Sequence, residues 1–94
     1  DFVYVGDVLR YLLAAMARRS AEPEVFNVCT GRSTTILQLA EAIGEIVGRP
    51  PAIEFGPARA GDIYESLGDP GRLIAAFGFA AETELPEGLA VTLG

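Results

Sequence analysis

Hydrophobic residues near the start of the chain recur at the three- and four-residue intervals of an α-helix. Because a helical turn takes about 3.6 residues, these positions fall on one face: Val8, Leu9, Leu12, Leu13 and Met16. Asp7 directly precedes this run, and a carboxylate there can accept hydrogen bonds from the first free N–H groups of a helix. The pattern predicts a helix that Asp7 caps, preceded by a short extended segment, Phe2–Val5.

A second helix is indicated at both of its ends. Thr35 and Gln38 have the spacing of a capping box, in which each side chain accepts a hydrogen bond from the other residue's backbone N–H. Gly48 can adopt the left-handed conformation that ends helices, and Pro50 with Pro51 prevents the helix from resuming. One face between these ends is apolar, formed by Ile36, Leu39, Ala40, Ile43, Ile46 and Val47.

Two further helical patterns occupy the last third of the chain. Asp69 is a favourable N-cap, Pro70 suits the first helical position, and Gly78 suits the residue that ends a helix. A last helical pattern runs from Glu84 to the C-terminus.

Short apolar segments separate these helices. Val25–Val28 and Ala52–Phe55 contain β-branched or aromatic residues and adjoin turn residues, so we predict that both are strands. Strands that alternate with helices are typical of an α/β fold. The sequence therefore predicts one α/β domain over residues 1–94, with short strands alternating with three to four helices.

Composition narrows the classes of function. Half of the 94 residues are hydrophobic, which is rich for so small a domain, so we expect part of this surface to meet a partner. A net charge of −6 argues against a nucleic-acid-binding surface, and the absence of histidine argues against a metal site. The apolar runs are short and none resembles a signal peptide, so we predict a cytoplasmic protein without a membrane segment.

The loop between the second predicted strand and the third helix carries the main candidate chemistry. Arg59 and Asp62 lie on a loop shaped by Gly56, Pro57 and Gly61. A guanidinium matches phosphate oxygens, and a carboxylate can accept hydrogen bonds from sugar hydroxyls, so this loop could hold an anion beside a polyol. The alternative is a surface turn whose charges are merely solvated.

A second loop is also a candidate site for binding an anion. Thr30-Gly31-Arg32-Ser33 lies between a predicted strand and a helix, where backbone N–H groups can bind an anion. A single glycine is neither a dinucleotide-binding fingerprint nor a phosphate loop, so a plain connecting turn is the favoured interpretation.

Five motifs occur in the order and spacing of a known family. Together they resemble the C-terminal region of the NAD-dependent nucleotide-sugar epimerases and dehydratases, which are extended short-chain dehydrogenase/reductases and include UDP-glucose 4-epimerase. The resemblance covers nearly the whole chain. The motifs are Asp1–Val8, Val25–Gly31, Leu39–Ile43, Arg59–Asp62 and Glu87–Leu89.

The resemblance implies a role for four residues. Arg59 matches the arginine that grips the diphosphate, and Asp62 matches the acidic residue that binds the ribose hydroxyls. Phe2 matches an aromatic residue near the nucleotide. Ser66 matches the position whose side chain faces the sugar C2 substituent in the epimerases, and a serine there leaves room for an N-acetyl group. Alternatively, Ser66 is an ordinary polar residue at a strand end.

The resemblance also implies that a Rossmann domain is missing. In this family that domain holds NAD, and the smaller C-terminal lobe closes over the nucleotide sugar. This chain has no Gly-x-Gly-x-x-Gly loop and no Tyr-x-x-x-Lys pair, and all seven of its basic residues are arginine. We therefore expect NAD in the parent enzyme, no cofactor bound by this chain, and no catalysis by this chain alone.

A second hypothesis comes from a different class of function. The chain could be a free-standing α/β module that uses its apolar surface to bind a protein partner or to dimerise. A start at Asp1 without an initiator methionine favours the fragment over the module. Under either hypothesis we expect self-association, most simply as a homodimer that buries residues such as Val3, Val5, Leu12 and Phe26.

Overall fold

The computed structural model describes residues 1–19, 22–57, 60–61 and 64–94, and it is helical throughout its regular parts. Helix α1 spans Val5–Ala17 and α2 spans Ile36–Val47. Helix α3 spans Gly71–Phe77 and α4 spans Leu85–Leu93. The segments between them are turns and extended backbone.

The prediction of an α/β fold is wrong. Across the described residues there are four α-helices and no strand, so Val25–Val28 and Ala52–Phe55 are extended but belong to no sheet. A strand needs a neighbour that accepts and donates its backbone hydrogen bonds. In the described part of the chain, backbone bonds outside the helices close turns and helix ends, apart from one that the Asp1 amino group donates to the Ser66 carbonyl.

The first helix begins three residues earlier than predicted. Its N-cap is Tyr4, whose side chain makes no capping bond, and Asp7 lies inside the first turn. The Asp7 carboxylate is buried and accepts a hydrogen bond of 3.0 Å from the Thr83 backbone N–H. Asp7 therefore does not cap α1, because a donor from the far end of the chain has taken its acceptor.

The second helix has the predicted ends. The Gln38 N–H donates to Thr35 Oγ1 at 3.0 Å, and the Thr35 N–H donates to Gln38 Oε1 at 2.8 Å, so the capping box is complete. Gly48 ends the helix with a φ of 75°, in the left-handed region that favours glycine.

The third and fourth helices differ from the prediction only at one start. Pro70, not Asp69, is the N-cap of α3, and Asp69 Oδ1 accepts a hydrogen bond of 2.9 Å from the Gly71 N–H. Gly78 ends α3 with a φ of 79°, and Glu84 precedes α4, both as predicted.

The chain buries little apolar surface. The buried hydrophobic residues in the described part of the chain are Tyr11, Cys29 and Leu73. The accessible surface is 7410 Å², whereas a compact monomer of this mass exposes about 5,200 Å². The radius of gyration is 16.2 Å, against about 12 Å for a compact domain of this length. The molecule is therefore a flat layer with much of its apolar surface uncovered.

Several sets of tertiary contacts hold this layer together, and two of them involve the helices most directly. Helix α2 packs against α4. At the other side, the Tyr11 ring stacks on Phe79 with 4.4 Å between ring centroids, and the Tyr11 hydroxyl donates to the Phe79 carbonyl at 2.7 Å. Within the described residues, no helix is both long enough and apolar enough to cross a bilayer.

Candidate functional site

An open cleft of about 590 Å³ lies between the start of the chain, the start of α2 and the segment before α3. We call it the Phe2 cleft. Its lining residues come from three stretches that are distant in sequence: Asp1, Phe2, Ser33, Thr34, Thr35, Ile36, Tyr64, Glu65 and Ser66.

Two of the four predicted site residues line this cleft. Phe2 lies before α1 and Ser66 lies shortly before α3. The fold brings these two distant residues into the lining of the same cleft. Arg59 and Asp62, the other two, lie outside the described residues. The proposed roles of all four residues remain predictions.

The lining combines hydroxyl groups with an aromatic and an aliphatic side chain. Ser33, Thr34 and Ser66 carry hydroxyls, each of which can donate and accept a hydrogen bond. Phe2 and Ile36 add apolar surface, and both are exposed. Such a wall suits a ligand with hydroxyl groups on one side and a flat or apolar face on the other.

The charges that line the cleft are negative. Asp1 and Glu65 are the charged residues in its described lining. The nearest arginine in sequence, Arg32, forms an ion pair with Glu84 at 2.7 Å. An anionic ligand in this cleft would therefore need a cation from elsewhere in the chain, and Arg59 stands five positions before Tyr64.

The turn at Thr30 and Gly31 binds a carboxylate, and this carboxylate is the side chain of Asp1. Thr30 N–H and Gly31 N–H donate to the Asp1 carboxylate, at 3.0 Å and 2.9 Å. Gly31 has a φ of 76°, in the left-handed region that favours glycine. The turn is therefore a connection held by an internal carboxylate, and these two N–H groups are not free for a phosphate.

A smaller cleft of about 300 Å³ lies on the other side of Phe2. It separates the first five residues from α4 and is mostly apolar, with Tyr4, Leu39, Leu85 and Leu89 in its walls. Gly88 permits a close contact here, because a Cβ at that position would lie 3.1 Å from the Tyr4 ring, closer than an ordinary van der Waals contact. This close approach keeps the first segment against α4 and so fixes one wall of the Phe2 cleft.

The tyrosine with a displaced pKa lies away from both clefts. Burial, and then the negative charge of Asp7, raise the pKa of Tyr11 above its ordinary value. A catalytic tyrosine that transfers protons near neutral pH needs a lowered pKa. Tyr11 is thus a structural residue, held by Phe79.

Sequence reasoning missed the wall formed by Ser33, Thr34, Ile36 and Tyr64. The capping box at Thr35 showed where α2 starts, but nothing local showed that this start faces Phe2 and Ser66. A search for hydroxyl-bearing residues beside predicted helix N-termini would have included Ser33 and Thr34.

Comparison with proteins of known function points to the same family as the motifs given above. No family model matches the chain. It is 36% identical over 93 residues to UDP-glucose 4-epimerase of Mycolicibacterium smegmatis, an alignment that covers 99% of this chain and 29% of that protein. The chain belongs to the family of UDP-glucose 4-epimerases and related sugar epimerases. The resemblance inferred from the five motifs is confirmed.

Two solved structures from this group of enzymes share the fold of the chain. One is MoeE5 in complex with UDP-glucuronic acid and NAD, with a TM-score of 0.88 and 33% identity over 96% of this chain and 30% of that one. The other is UDP-glucose 4-epimerase of Bifidobacterium longum in complex with NAD⁺ and UDP, with a TM-score of 0.91 and 26% identity. The second alignment covers 99% of this chain and 28% of that one. The chain thus spans less than a third of these epimerases and matches their C-terminal part.

Proposed function

We propose that this chain is the nucleotide-sugar-binding lobe of an NAD-dependent sugar epimerase or dehydratase, and that it is inactive alone. A single structural observation carries the proposal: the fold joins Phe2 and Ser66 in one cleft lined by hydroxyl groups. The similarity to epimerases solved with UDP or UDP-glucuronic acid supports a UDP-sugar as the ligand.

Each of the four proposed site residues would contact a different part of the ligand. Arg59 would supply the positive charge that the described lining lacks and would hold the diphosphate. Asp62 would accept hydrogen bonds from the ribose hydroxyls, and Phe2 would pack against the nucleotide. Ser66 would face the sugar, where its small side chain leaves space for an N-acetyl group.

The described residues do not fit NAD. Buried side-chain polar atoms in this part of the chain all have hydrogen-bond partners, so none awaits a cofactor. The turn before α2 uses Thr30 and Gly31 N–H groups on Asp1, and the N-terminus of α2 is closed by its own capping box. We therefore infer that NAD is held by the remainder of the parent enzyme, in a Rossmann domain that this chain would meet.

A second candidate function rests on the uncovered apolar surface. Five residues of α1 are exposed along one side, and we call them the outer face: Val5, Leu9, Leu12, Leu13 and Met16. In the main proposal this face contacts the Rossmann domain. In the alternative, it makes the chain a free-standing interaction or dimerisation module.

Titration of UDP into the intact parent enzyme tests the main proposal. A charge-assisted arginine–phosphate contact contributes about 1.5–3 kcal/mol, so Arg59→Ala should weaken UDP binding by roughly ten- to a hundredfold. Arg49→Ala is the matched control, because Arg49 is exposed and lines a different cleft beside the end of α2. Its UDP affinity should stay within about twofold of the original.

The outcomes separate the two candidates. Unchanged affinity in Arg59→Ala would show that the Arg59 loop is only a turn and would remove the main proposal's best residue. Measurable turnover of UDP-sugars by the purified 94-residue chain, free of host epimerase, would contradict its inactivity. Tight self-association without any UDP binding by the parent would favour the interaction module.

A further inference from the structure

The Asp1 carboxylate accepts four hydrogen bonds from two distant loops. Oδ1 accepts from the Thr30 N–H at 3.0 Å and from Thr30 Oγ1 at 2.7 Å. Oδ2 accepts from the Gly31 N–H at 2.9 Å and from the Gly68 N–H at 3.3 Å. In addition, the Asp1 backbone nitrogen donates to the Ser66 carbonyl at 2.8 Å. We call this set of bonds the Asp1 clip.

The two loops can share one carboxylate because glycine lets them touch. A Cβ at Gly68 would lie only 2.5 Å from Cys29 Sγ, so a side chain there would push the loops apart. Gly31 has a positive φ of 76°, and a Cβ there would lie 3.0 Å from Pro70 Cδ. The sequence thus provides a glycine on each side of the carboxylate, where close approach is required.

Hydrogen-bond donors, not cations, stabilise this carboxylate in the described part of the chain. The ion pairs there involve Asp7, Glu24, Glu82 and Glu84, and none involves Asp1. Hydrogen bonds to a charged acceptor are stronger than those between neutral groups, and they depend on direction. The clip therefore fixes geometry more tightly than an exposed ion pair would.

The residues that the clip holds are next to those that line the Phe2 cleft. Phe2 follows Asp1 directly, Ser66 gives its carbonyl to the clip, and Ser33 is two residues beyond Gly31. All three walls of the cleft thus adjoin groups that Asp1 bonds, through its side chain to Thr30, Gly31 and Gly68 and through its backbone nitrogen to Ser66. If that side chain moves, Phe2 and Ser66 move relative to each other.

We propose that Asp1 is a positioning residue that sets the separation between Phe2 and Ser66 and thereby the fit of the sugar end of a nucleotide sugar. This inference rests on the proposed function. Asp1 touches no ligand in it; Asp1 acts through Phe2 and Ser66. A loss of the clip should therefore change both affinity and the choice between sugars, because ligand fit depends on sub-ångström placement of the walls.

The test uses Asp1→Asn in the intact parent enzyme, with UDP-glucose and UDP-N-acetylglucosamine as probes. The amide oxygen can keep the two bonds from Thr30, but its NH₂ group would face the N–H groups of Gly31 and Gly68, donor against donor. We expect UDP-glucose affinity to fall about five- to tenfold, and the ratio of the two affinities to change by at least about threefold.

Two further variants complete the design. Asp69→Asn is the control, since Asp69 also accepts a backbone N–H, from Gly71, but lies outside the cleft lining; its affinities should change by less than about twofold. Thr30→Val removes one of the four donors to the Asp1 carboxylate, together with the Oγ1 acceptor of the Arg32 N–H, so it should shift the affinity ratio in the same direction by a smaller amount. This variant keeps the test decisive if Asp1→Asn does not fold.

An unchanged affinity ratio in both Asp1→Asn and Thr30→Val would overturn the positioning role, even if both proteins lost stability. The same holds if their affinity fell only in proportion to the unfolded fraction measured by circular dichroism. Failure of the original protein to bind either UDP-sugar would instead contradict the proposed function itself. Binding by the original protein is therefore measured first.

Discussion

The two sides of helix α1 differ in burial and in the kind of contact they make. On the inner side, Asp7 and Tyr11 are buried and bonded to the segment that follows α3. On the outer face, residues of similar or greater hydrophobicity are open to solvent; Val5 is 72% exposed and Met16 is 83% exposed. The same helix is thus attached to its own chain by polar bonds, while its apolar side is uncovered.

This difference shows how a chain with a small core keeps its shape. Apolar burial is normally the dominant favourable contribution to folding. Here few apolar side chains are buried, and directional bonds from Asp1, Asp7 and Tyr11 hold segments that lie far apart in sequence. In our proposal, the apolar surface is kept for contact with the rest of the epimerase.

The largest effect should come from the inner side. Asp7→Ala leaves the Thr83 N–H without its acceptor and removes one of two carboxylate partners of Arg10, whose nitrogen is 3.7 Å from Asp7 Oδ1 and 3.3 Å from Glu82 Oε2. We expect a loss of about 2–3 kcal/mol in the free energy of unfolding, measured by urea denaturation. Most of this comes from the part-buried Thr83 N–H, because the Arg10 side chain is 44% exposed and its ion pair is screened.

Two control variants sharpen this result. Asp7→Asn keeps an oxygen that can accept from Thr83, so its loss should be smaller than that of Asp7→Ala. Glu87→Ala replaces an exposed acid in the first turn of α4 and should change stability by less than about 0.5 kcal/mol. Equal losses in Asp7→Ala and Glu87→Ala would break the contrast between the two sides.

A substitution on the outer face should change the self-association of the chain rather than its free energy of unfolding. Leu12→Glu places a charge in the exposed apolar stripe, so it should raise the dissociation constant of a homodimer by at least about tenfold, or about 1.4 kcal/mol, with little change in unfolding. Sedimentation of the isolated chain measures this. Val91→Glu, an exposed apolar position on α4, is the control.

A monomeric chain at high concentration would contradict the expected dimer. Of the residues first expected in such an interface, Val5 and Leu12 are exposed on the outer face, which is consistent with a contact there. Phe26 is half-buried and packs against Phe77 at 5.4 Å between centroids, so it already has a partner within the chain.

The smallest effect concerns Tyr11. Tyr11→Phe removes the hydroxyl that donates to the Phe79 carbonyl but keeps the stacked ring, so we expect a loss of about 1 kcal/mol at neutral pH. The pKa of Tyr11 is raised above 10.0 by burial and then by Asp7. Its neutral form therefore stabilises the fold fully below the unfolded pKa, and this contribution is lost as the pH rises through the folded value.

Unfolding measurements above pH 10 test that sign. The original chain should lose stability more steeply than Tyr11→Phe as the pH rises. Tyr64→Phe is the control, because Tyr64 is fully exposed and its removal should leave the slope unchanged. Parallel slopes for the original chain and Tyr11→Phe would show that Tyr11 ionises as freely when folded as when unfolded.

The features predicted correctly from sequence are those fixed by neighbouring residues. The capping box of Thr35 and Gln38 and the glycine ends at Gly48 and Gly78 depend on contacts within one turn, so the sequence shows them directly. Val25–Val28 has the composition of a strand, but pairing requires a second strand that local composition does not supply. Asp7 was assigned as a cap because its true donor, Thr83, is distant in sequence.

Some features of the candidate site were likewise predictable from sequence, and others were not. The motifs around Phe2 and Ser66 were recognisable, and the fold places both in one cleft. The Asp1 clip could not be seen from sequence, since its donors lie at Thr30, Gly31 and Gly68. Arg59 and Asp62 remain assigned by family resemblance alone.

Hydrogen–deuterium exchange on the intact parent enzyme, with and without UDP-glucose, tests the central claim most directly. If this chain is the nucleotide-sugar-binding lobe, ligand should slow exchange in peptides that cover residues 1–4, 30–36 and 64–66, which form or adjoin the Phe2 cleft. The proposed roles of Arg59 and Asp62 predict the same slowing in the peptide that contains them. Peptides over residues 41–51, around the separate cleft at the end of α2, should not change. Slowed exchange confined to parts of the parent outside this chain would contradict the account.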